Sequence, residues 1–396
     1  MICIIGASLA GDMAAATLRA QGYAEPIIML GDEPEPPYDR PPLSKEALTG
    51  EFPESRFYLR AESWYGEQDI TLRLGQPVTA INPAAHQITV GGETLNYKKL
   101  LITTGARARS LAVPAECKIP TLVVRTLADA RALRTALVPG ARVAIVGAGV
   151  IGMEVAASAA TRGCKVQVVD LAERVMSRVL PPALSDYMAA LHTGNGVGLH
   201  LGAGSVAVTE HGISTANYGE IEADAIIIGI GVVPNTELGA AAGLACRDGI
   251  LVDEYCRTSD PDIYAAGDVT RYPNPFGPGD MRSENWKHAQ NQAATAARNM
   301  LGAEEKYIAS SSMWSDQFDV KLQTVGVVGE GGILRGEAGS KKFMLIYRDE
   351  AGVVTGALGV NQAKDMRFAQ MLVEKRVVAD AMLLADPKQD LRKLAA

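Results

Sequence analysis

The 396-residue chain holds only five cysteines, Cys3, Cys117, Cys164, Cys246 and Cys256, and no two form a C-x-x-C pair. Their scatter excludes a dithiol redox motif. Together with five dispersed histidines (His86, His192, His200, His211, His288) it also excludes zinc or iron–sulfur ligand spacing, so no resident metal is expected. Basic charge is not in excess. A formal net charge of -7 argues against a general binder of nucleic acid or anionic membrane, although a local basic patch would still suit an acidic protein. Long apolar runs are missing too, and the opening MICIIGAS has no charged n-region or cleavable apolar stretch. A cytoplasmic protein with no membrane partner is expected. What remains, 47% hydrophobic and 21% charged residues, is ordinary globular composition with length for two to three domains.

Two segments repeat one pattern: an apolar run, a glycine turn, an Ala-rich helix, a second apolar run and an acid. The first runs from Ile2 to Glu33 and the second from Val143 to Asp170. In the second copy Gly147, Gly149 and Gly152 complete G-x-G-x-x-G, with Ile151 inside the motif. Gly147 permits the tight turn, Gly149 lets a pyrophosphate approach the backbone, and Gly152 lets helix and strand come close; the helix N-terminus supplies N–H donors and positive potential. Asp170 suits free ribose hydroxyls and repels a 2′-phosphate, which favours NADH over NADPH. The first copy keeps Gly6 and Gly11, puts Ser8 where the middle glycine would stand, and closes on Asp32 or Glu33.

Two dinucleotide folds in one chain imply two cofactors, FAD and NADH being the natural pair. LLITTGARAR brings an apolar strand to Thr104 and Gly105. TSDPDIYAAGDV brings another to Gly267 and Asp268, placing a carboxylate at the C-terminal edge of a sheet, where open α/β folds bind ligands. The fold class is therefore α/β, with two Rossmann-like dinucleotide-binding domains. Beyond Ser311, the segments VKLQTVGVV, GGILRGE, KKFMLIY and VVTGALGV read as strands and DMRFAQMLVEKRVV as a helix, a C-terminal α+β domain.

One stretch stands apart. In YDRPPLSK, Pro41 and Pro42 stiffen the chain just before Ser44 and Lys45. On these eight residues alone the lysine belongs in the first turn of a proline-started helix, solvated like most lysines.

Taken in order, GxxxxG, PPLSK, TTGARAR, GAGVIGMEVAASA, GIGVVPN, YAAGDV and WSDQF resemble the FAD-dependent NADH:ferredoxin reductases of bacterial Rieske-type aromatic-ring dioxygenases, of the putidaredoxin reductase type and glutathione-reductase-like fold. The resemblance covers essentially the whole chain. It implies an FAD domain in two pieces (1–110 and 237–311), an inserted NADH domain (111–236) and a C-terminal domain (312–396). It also implies that Lys45 and Glu154 form a catalytic pair, the lysine by flavin N5 and the glutamate holding its ammonium. Further cofactor contacts follow by position: Ala10 and Asp32 at the FAD pyrophosphate and ribose, Val78 at adenine, Arg125 and Trp286 near the flavin, Asp268 at the ribitol, and Gly231 at NADH. The implied chemistry is hydride transfer from NADH to the flavin, then single-electron transfers to a [2Fe–2S] ferredoxin. Other readings of this architecture are a reductase of rubredoxin, quinone or oxygen, or a non-catalytic FAD protein that senses NADH. An acidic ferredoxin would call for a basic surface, with Arg271, Arg282, Lys287, Lys321 and Lys341 as candidates.

Overall fold

A computed structural model describes residues 1–50 and 53–395. The chain divides into two compact units, each assembled from three separate pieces of sequence. The first comprises Met1–Asp39, Pro53–Arg107 and Val233–Ala309; the second takes in a short excursion that begins at Arg40, then Ala108–Val232 and a last piece from Ser310.

In the first unit, short runs form a parallel sheet ordered Ile263–Ala265, Lys99–Ile102, Ile2–Ile5, Ile27–Leu30, Ile70–Arg73, in which the central Ile2–Ile5 is buried throughout and the edge strand Ile70–Arg73 is buried only at Ile70. Both faces must be covered for such a sheet to persist. One cover is the helix Leu9–Ala20, which packs on the helix Trp286–Met300 through small side chains, Ala14, Ala15, Ala293, Ala296 and Ala297, all fully buried. An antiparallel meander, Val78–Asn82, Gln87–Val90 and Glu93–Asn96, leads into the strand Lys99–Ile102.

The second unit repeats this plan. Its parallel sheet runs Gly198–His200, Lys165–Val169, Arg142–Val146, Ala225–Ile228, Thr121–Leu122, and its meander is Val206–Val208, Gly212–Thr215, Gly219–Glu222. Attached to it is a five-stranded antiparallel sheet ordered Ser312–Gln317, Val320–Gly326, Val354–Val360, Phe343–Arg348, Ile333–Gly336. The helix Ala363–Glu374 covers that sheet, and Met366, Ala369, Leu372 and Val373 fill its core with Val325, Met344, Ile346 and Ala357.

The helix Val150–Thr161 is buried on nearly every side, from Gly152 to Ala159. A helix apolar all round must be enclosed, and here the excursion from Arg40 and the strand Ser312–Gln317 both pack against it. Three features depart from expectation. Residues from Arg40 through Gly50 belong with the NADH fold rather than with the first FAD piece, because Leu48 joins the second unit's core while Arg134 and Arg162 donate to carbonyls of Ala47, Gly50 and Leu48. The breaks fall at 107, 232 and 309 rather than 110, 236 and 311. A fifth strand, Ser312–Gln317, precedes the four read in the C-terminal domain, whose last residue, Ala396, lies outside the described residues.

Candidate functional site

The two glycine turns have the same geometry. Gly6 and Gly147 both adopt positive φ (120° and 111°), and a Cβ on either would strike a carbonyl of the neighbouring strand's end, Thr103 O at 2.2 Å or Gly229 O at 2.4 Å. A Cβ on Gly11 or Gly152 would strike the carbonyl of Gly6 or Gly147 at 2.0 or 1.9 Å. These four positions are closed to any side chain. The middle position differs: a Cβ on Gly149 meets nothing within 4 Å, so the helix N-terminus stands open at the place where a pyrophosphate would approach. Ser8 fills that position in the first turn with extended backbone (φ -135°, ψ -163°) that any residue adopts, and its hydroxyl makes no cap bond. The serine is accommodated without strain. Both turns therefore fit a dinucleotide phosphate on their own geometry.

Around the second turn, Asp170 accepts from the N–H of Ala148 at 2.5 Å and of Ala172 at 2.8 Å, so the acid that closes the strand also braces the glycine loop. Ile151 is 45% exposed at the start of the helix, and Gly231, exposed and at positive φ, stands in the turn that follows Gly229. Arg125 lies just before the Thr126 cap of the helix Leu127–Ala136.

In the first unit Asp32 is exposed at the end of its strand, whereas Glu33 accepts a hydrogen bond from Tyr38. Ala10 sits in the first turn of the glycine helix, and a Cβ added to Gly267 would stand 3.3 Å from its methyl, so the GDV turn and this helix start are neighbours. Gln292 fixes the GDV turn, accepting from Gly267 N–H at 2.8 Å and Thr270 Oγ1 at 2.7 Å. His288 sits 3.3 Å from Gly267 O and 2.9 Å from Tyr307 Oη, stacked on Tyr272; burial pushes its pKa down to about 4. Asp268 projects from this turn, half-buried. Thr104 and Gly105 are held by Asn235, which donates from its side-chain amide to Thr104 O and from its backbone N–H to Gly105 O, and whose carbonyl accepts from Thr104 Oγ1. Val78 opens the meander, buried. Trp286 is half-buried rather than a core residue, and its indole donates to Asp39 Oδ1 at 2.7 Å. Burial raises the Asp39 pKa, and that indole bond opposes the rise.

The prolines of PPLSK do not start an α-helix. Pro41–Ser44 is a 3-10 turn, and Lys45 (φ -125°, ψ -104°) joins it to the short helix Glu46–Thr49. The lysine is not solvated. Its Nζ donates to Pro41 O at 2.9 Å and to Glu154 Oε2 at 2.7 Å, and the two side chains are 13% and 1% exposed. Glu154 also accepts from Ser44 Oγ, and its other oxygen accepts from Ser315 Oγ at 2.7 Å. Three residues, Lys45, Ser44 and Ser315, thus surround one buried carboxylate, as burying a charge demands. Sequence reasoning missed Ser44 and Ser315; the signal for Ser315 is its polar side chain on the inward face of an alternating strand.

The proposed basic surface does not stand as read. Arg271 pairs with Asp280 and Asp248, Arg282 with Asp248 and Glu284, and Lys341 with Asp319. Lys287 also has a partner. Among the described residues, Lys321 alone of the five is exposed with no side-chain partner, so the local acids largely cancel the charge the sequence offered.

Residues 1–293 match the model of the pyridine nucleotide-disulphide oxidoreductases, and residues 312–395 match the reductase C-terminal domain. The chain belongs to the pyridine nucleotide-disulphide oxidoreductase family. It is 41% identical to the ferredoxin–NAD(+) reductase component of the anthranilate 1,2-dioxygenase system of Burkholderia cepacia, covering 98% of each chain. Among solved structures it resembles a ferredoxin reductase from Rhodopseudomonas palustris (TM-score 0.93, 34% identity, covering 100% of this chain and 99% of that one) and the reductase chain of a covalent putidaredoxin reductase–putidaredoxin complex (TM-score 0.91, 33% identity, 99% and 97%). As in that family, the cofactors are FAD and NAD(H). This oxidoreductase lacks the disulfide of the family name, since all five cysteines are free. Burial raises the thiol pKa of Cys3 to about 11, and it also raises those of Cys164, Cys246 and Cys256.

Proposed function

We propose that the protein is the NADH:ferredoxin reductase of a Rieske-type aromatic-ring dioxygenase system, passing single electrons to a [2Fe–2S] ferredoxin. The observation that carries this reading is the combination of two dinucleotide turns of one geometry with no cysteine pair. With no dithiol in the chain to carry electrons, they must leave from the flavin to an outside acceptor, and the full-length likeness to dioxygenase reductase components favours a ferredoxin. A cytoplasmic setting goes with this reading; among the described residues no helix is long and apolar enough to cross a membrane.

FAD, when bound, supplies hydride acceptance and one-electron delivery. The chain's own residues bind and orient. We assign the Gly6–Gly11 turn, Ala10, Asp32, Val78, Thr104, Gly105, Gly267 and Asp268 to FAD, with Arg125 and Trp286 near its flavin. The Gly147–Gly152 turn, Ile151, Asp170 and Gly231 are assigned to NADH. Lys45, held and aimed by Glu154, would present its ammonium to the flavin when FAD is bound. No side chain need act as nucleophile or general base.

The test is to follow flavin reduction by NADH in stopped flow and cytochrome c reduction with and without a Rieske-type [2Fe–2S] ferredoxin. Rapid reduction and a strict need for ferredoxin are expected. Slow flavin reduction with a long-lived NADH complex would instead mark an NADH sensor.

A further inference from the structure

The carboxylate of Glu154 lies at one end of a buried chain of hydrogen bonds that reaches through the C-terminal sheet into the helix Pro182–Gly194. Ser315 Oγ donates to Glu154 Oε1 at 2.7 Å, and Gln317 Nε2 lies 2.9 Å from Ser315 Oγ. Gln317 Oε1 in turn lies 2.8 Å from His192 Nε2. All four are buried, with Glu154 at 2%, Ser315 at 0%, Gln317 at 1% and His192 at 0% exposure.

The direction of every bond follows from donor and acceptor capacity. An ionised carboxylate only accepts, so the single proton of Ser315 points at Glu154, and the serine oxygen must accept from the Gln317 amide. The glutamine oxygen is then left facing His192, which donates from Nε2. Burial lowers the His192 pKa, which favours the neutral imidazole as this donor. Three donors thus point the same way, toward one oxygen of a carboxylate whose other oxygen holds Lys45. Such a chain reinforces itself in a low-dielectric interior.

We propose that Ser315 and Gln317 are positioning residues for Lys45, acting through Glu154, so that the C-terminal domain completes the cationic group assigned to the flavin. The inference rests on that assignment of Lys45. The physical reason is geometric. Rotation about the last torsion of a glutamate is soft, and Lys45 holds only Oε2 together with Ser44. With Oε1 anchored by Ser315, the carboxylate plane is fixed and the ammonium with it. Without that anchor Oε1 is a buried acceptor lacking a partner, and the carboxylate turns to recover one. Strand alternation supports a dedicated role: Ser315 and Gln317 share the inward face with Met313 and are the two fully buried residues of Ser312–Gln317, where packing alone would favour apolar side chains.

The test uses the FAD-loaded protein and compares Ser315→Ala, Ser315→Thr, Gln317→Met and Lys45→Met. The first readout is the FAD midpoint potential, and the second is the rate of flavin reduction by NADH. Ser315→Ala is expected to weaken the preference for reduced over oxidised flavin about tenfold, which for a two-electron couple moves the potential about 30 mV more negative. Flavin reduction should slow by a similar factor. Ser315→Thr keeps the hydroxyl and should restore both readouts to within about twofold of the parent. Gln317→Met keeps the volume and removes the amide, and should shift the potential in the same direction by less. A Ser315→Ala protein of parental potential and rate, beside an impaired Lys45→Met, would overturn the positioning role alone. Parental behaviour of Lys45→Met as well would overturn the assignment of Lys45 itself. Should Ser315→Ala not fold with FAD, Gln317→Met decides, and a parental potential there overturns the proposal.

Discussion

Gln292 turns its side-chain oxygen onto the backbone N–H of Gly267, 25 residues earlier, so the helix Trp286–Met300 sets the shape of the turn that presents Asp268. The same oxygen takes the Thr270 hydroxyl. Gln292→Leu removes both acceptor contacts inside a fully buried site, and leaving buried donors unmet costs about 1–3 kcal/mol. The expected result is a protein that purifies with less FAD and rebinds it at least about tenfold more weakly, the equivalent of ~1.4 kcal/mol. Fluorescence titration of the apoprotein with FAD measures this, and unchanged affinity would free the turn from Gln292.

His288 predicts a pH dependence of stability. Its folded pKa is pushed down to about 4 by burial, against an ordinary value of 6.5. Between those values the unfolded chain binds more protons than the folded one, so stability is fully present above pH 6.5 and is lost as pH falls toward 4. The shift corresponds to about 3 kcal/mol at its limit. His192, also lowered by burial, acts in the same sense. His288→Phe keeps a ring against Tyr272 and removes the proton site. Melting temperatures from pH 7 to 4 should fall less steeply in this variant, and equal slopes would deny His288 its share.

The coenzyme role proposed for Asp170 is tied to loop shape, because its two oxygens already hold Ala148 and Ala172. Asp170→Ala is expected to narrow the preference for NADH over NADPH, mainly by raising the KM for NADH, as the carboxylate's contact with ribose hydroxyls and its repulsion of a 2′-phosphate both disappear. The ratio of kcat/KM for the two nucleotides measures it. An unchanged ratio would place the discrimination elsewhere.

Glu154→Ala should be far more damaging than its single position implies. Removing one member of a buried pair leaves the other charge uncompensated, at a cost of about 3–5 kcal/mol, and here Ser44 and Ser315 lose their acceptor too. Lower thermal stability, loss of FAD or slow flavin reduction is expected. A variant with parental stability, FAD content and reduction rate would return Lys45 to an ordinary surface role.

The ferredoxin surface invites a different expectation from the one the sequence offers. With Arg271, Arg282 and Lys341 each paired to an acid, neutralising any one of them removes a pair rather than a bare charge, and for the exposed Lys341–Asp319 pair solvent screening leaves little to lose. Lys341→Ala should therefore leave the rate of ferredoxin reduction within about twofold between low and high salt. A large loss at low salt would restore Lys341 to the docking surface.

Much of this architecture is legible in the residues. The apolar runs at Ile2 and Val143 mark central parallel strands because both faces are buried, and the outer glycines, Gly6, Gly11, Gly147 and Gly152, mark the turns because no side chain fits there. The strand Ser312–Gln317 is not legible, since Ser315 and Gln317 occupy inward positions where the pattern calls for apolar residues. Their reason for being polar lies 161 and 125 residues away, in Glu154 and His192. Lys45 misleads for the same cause: a lysine reads as exposed until its distant carboxylate is known. The charge candidates fail similarly, as the acids that cancel Arg271 and Lys341 sit across turns and strands rather than beside them in sequence.

The two glycine turns also separate two kinds of mutational intolerance within six residues. Substitution at Gly6, Gly11, Gly147 or Gly152 drives a Cβ into a carbonyl and must fail in the fold itself, with or without coenzyme. Gly149 has open space, so Gly149→Ala should fold as the parent does and lose only nucleotide affinity. Ser8 already demonstrates the same freedom in the first turn. A saturation library selected separately for folding and for coenzyme capture would therefore lose the outer glycines in both screens and the middle one in the second alone.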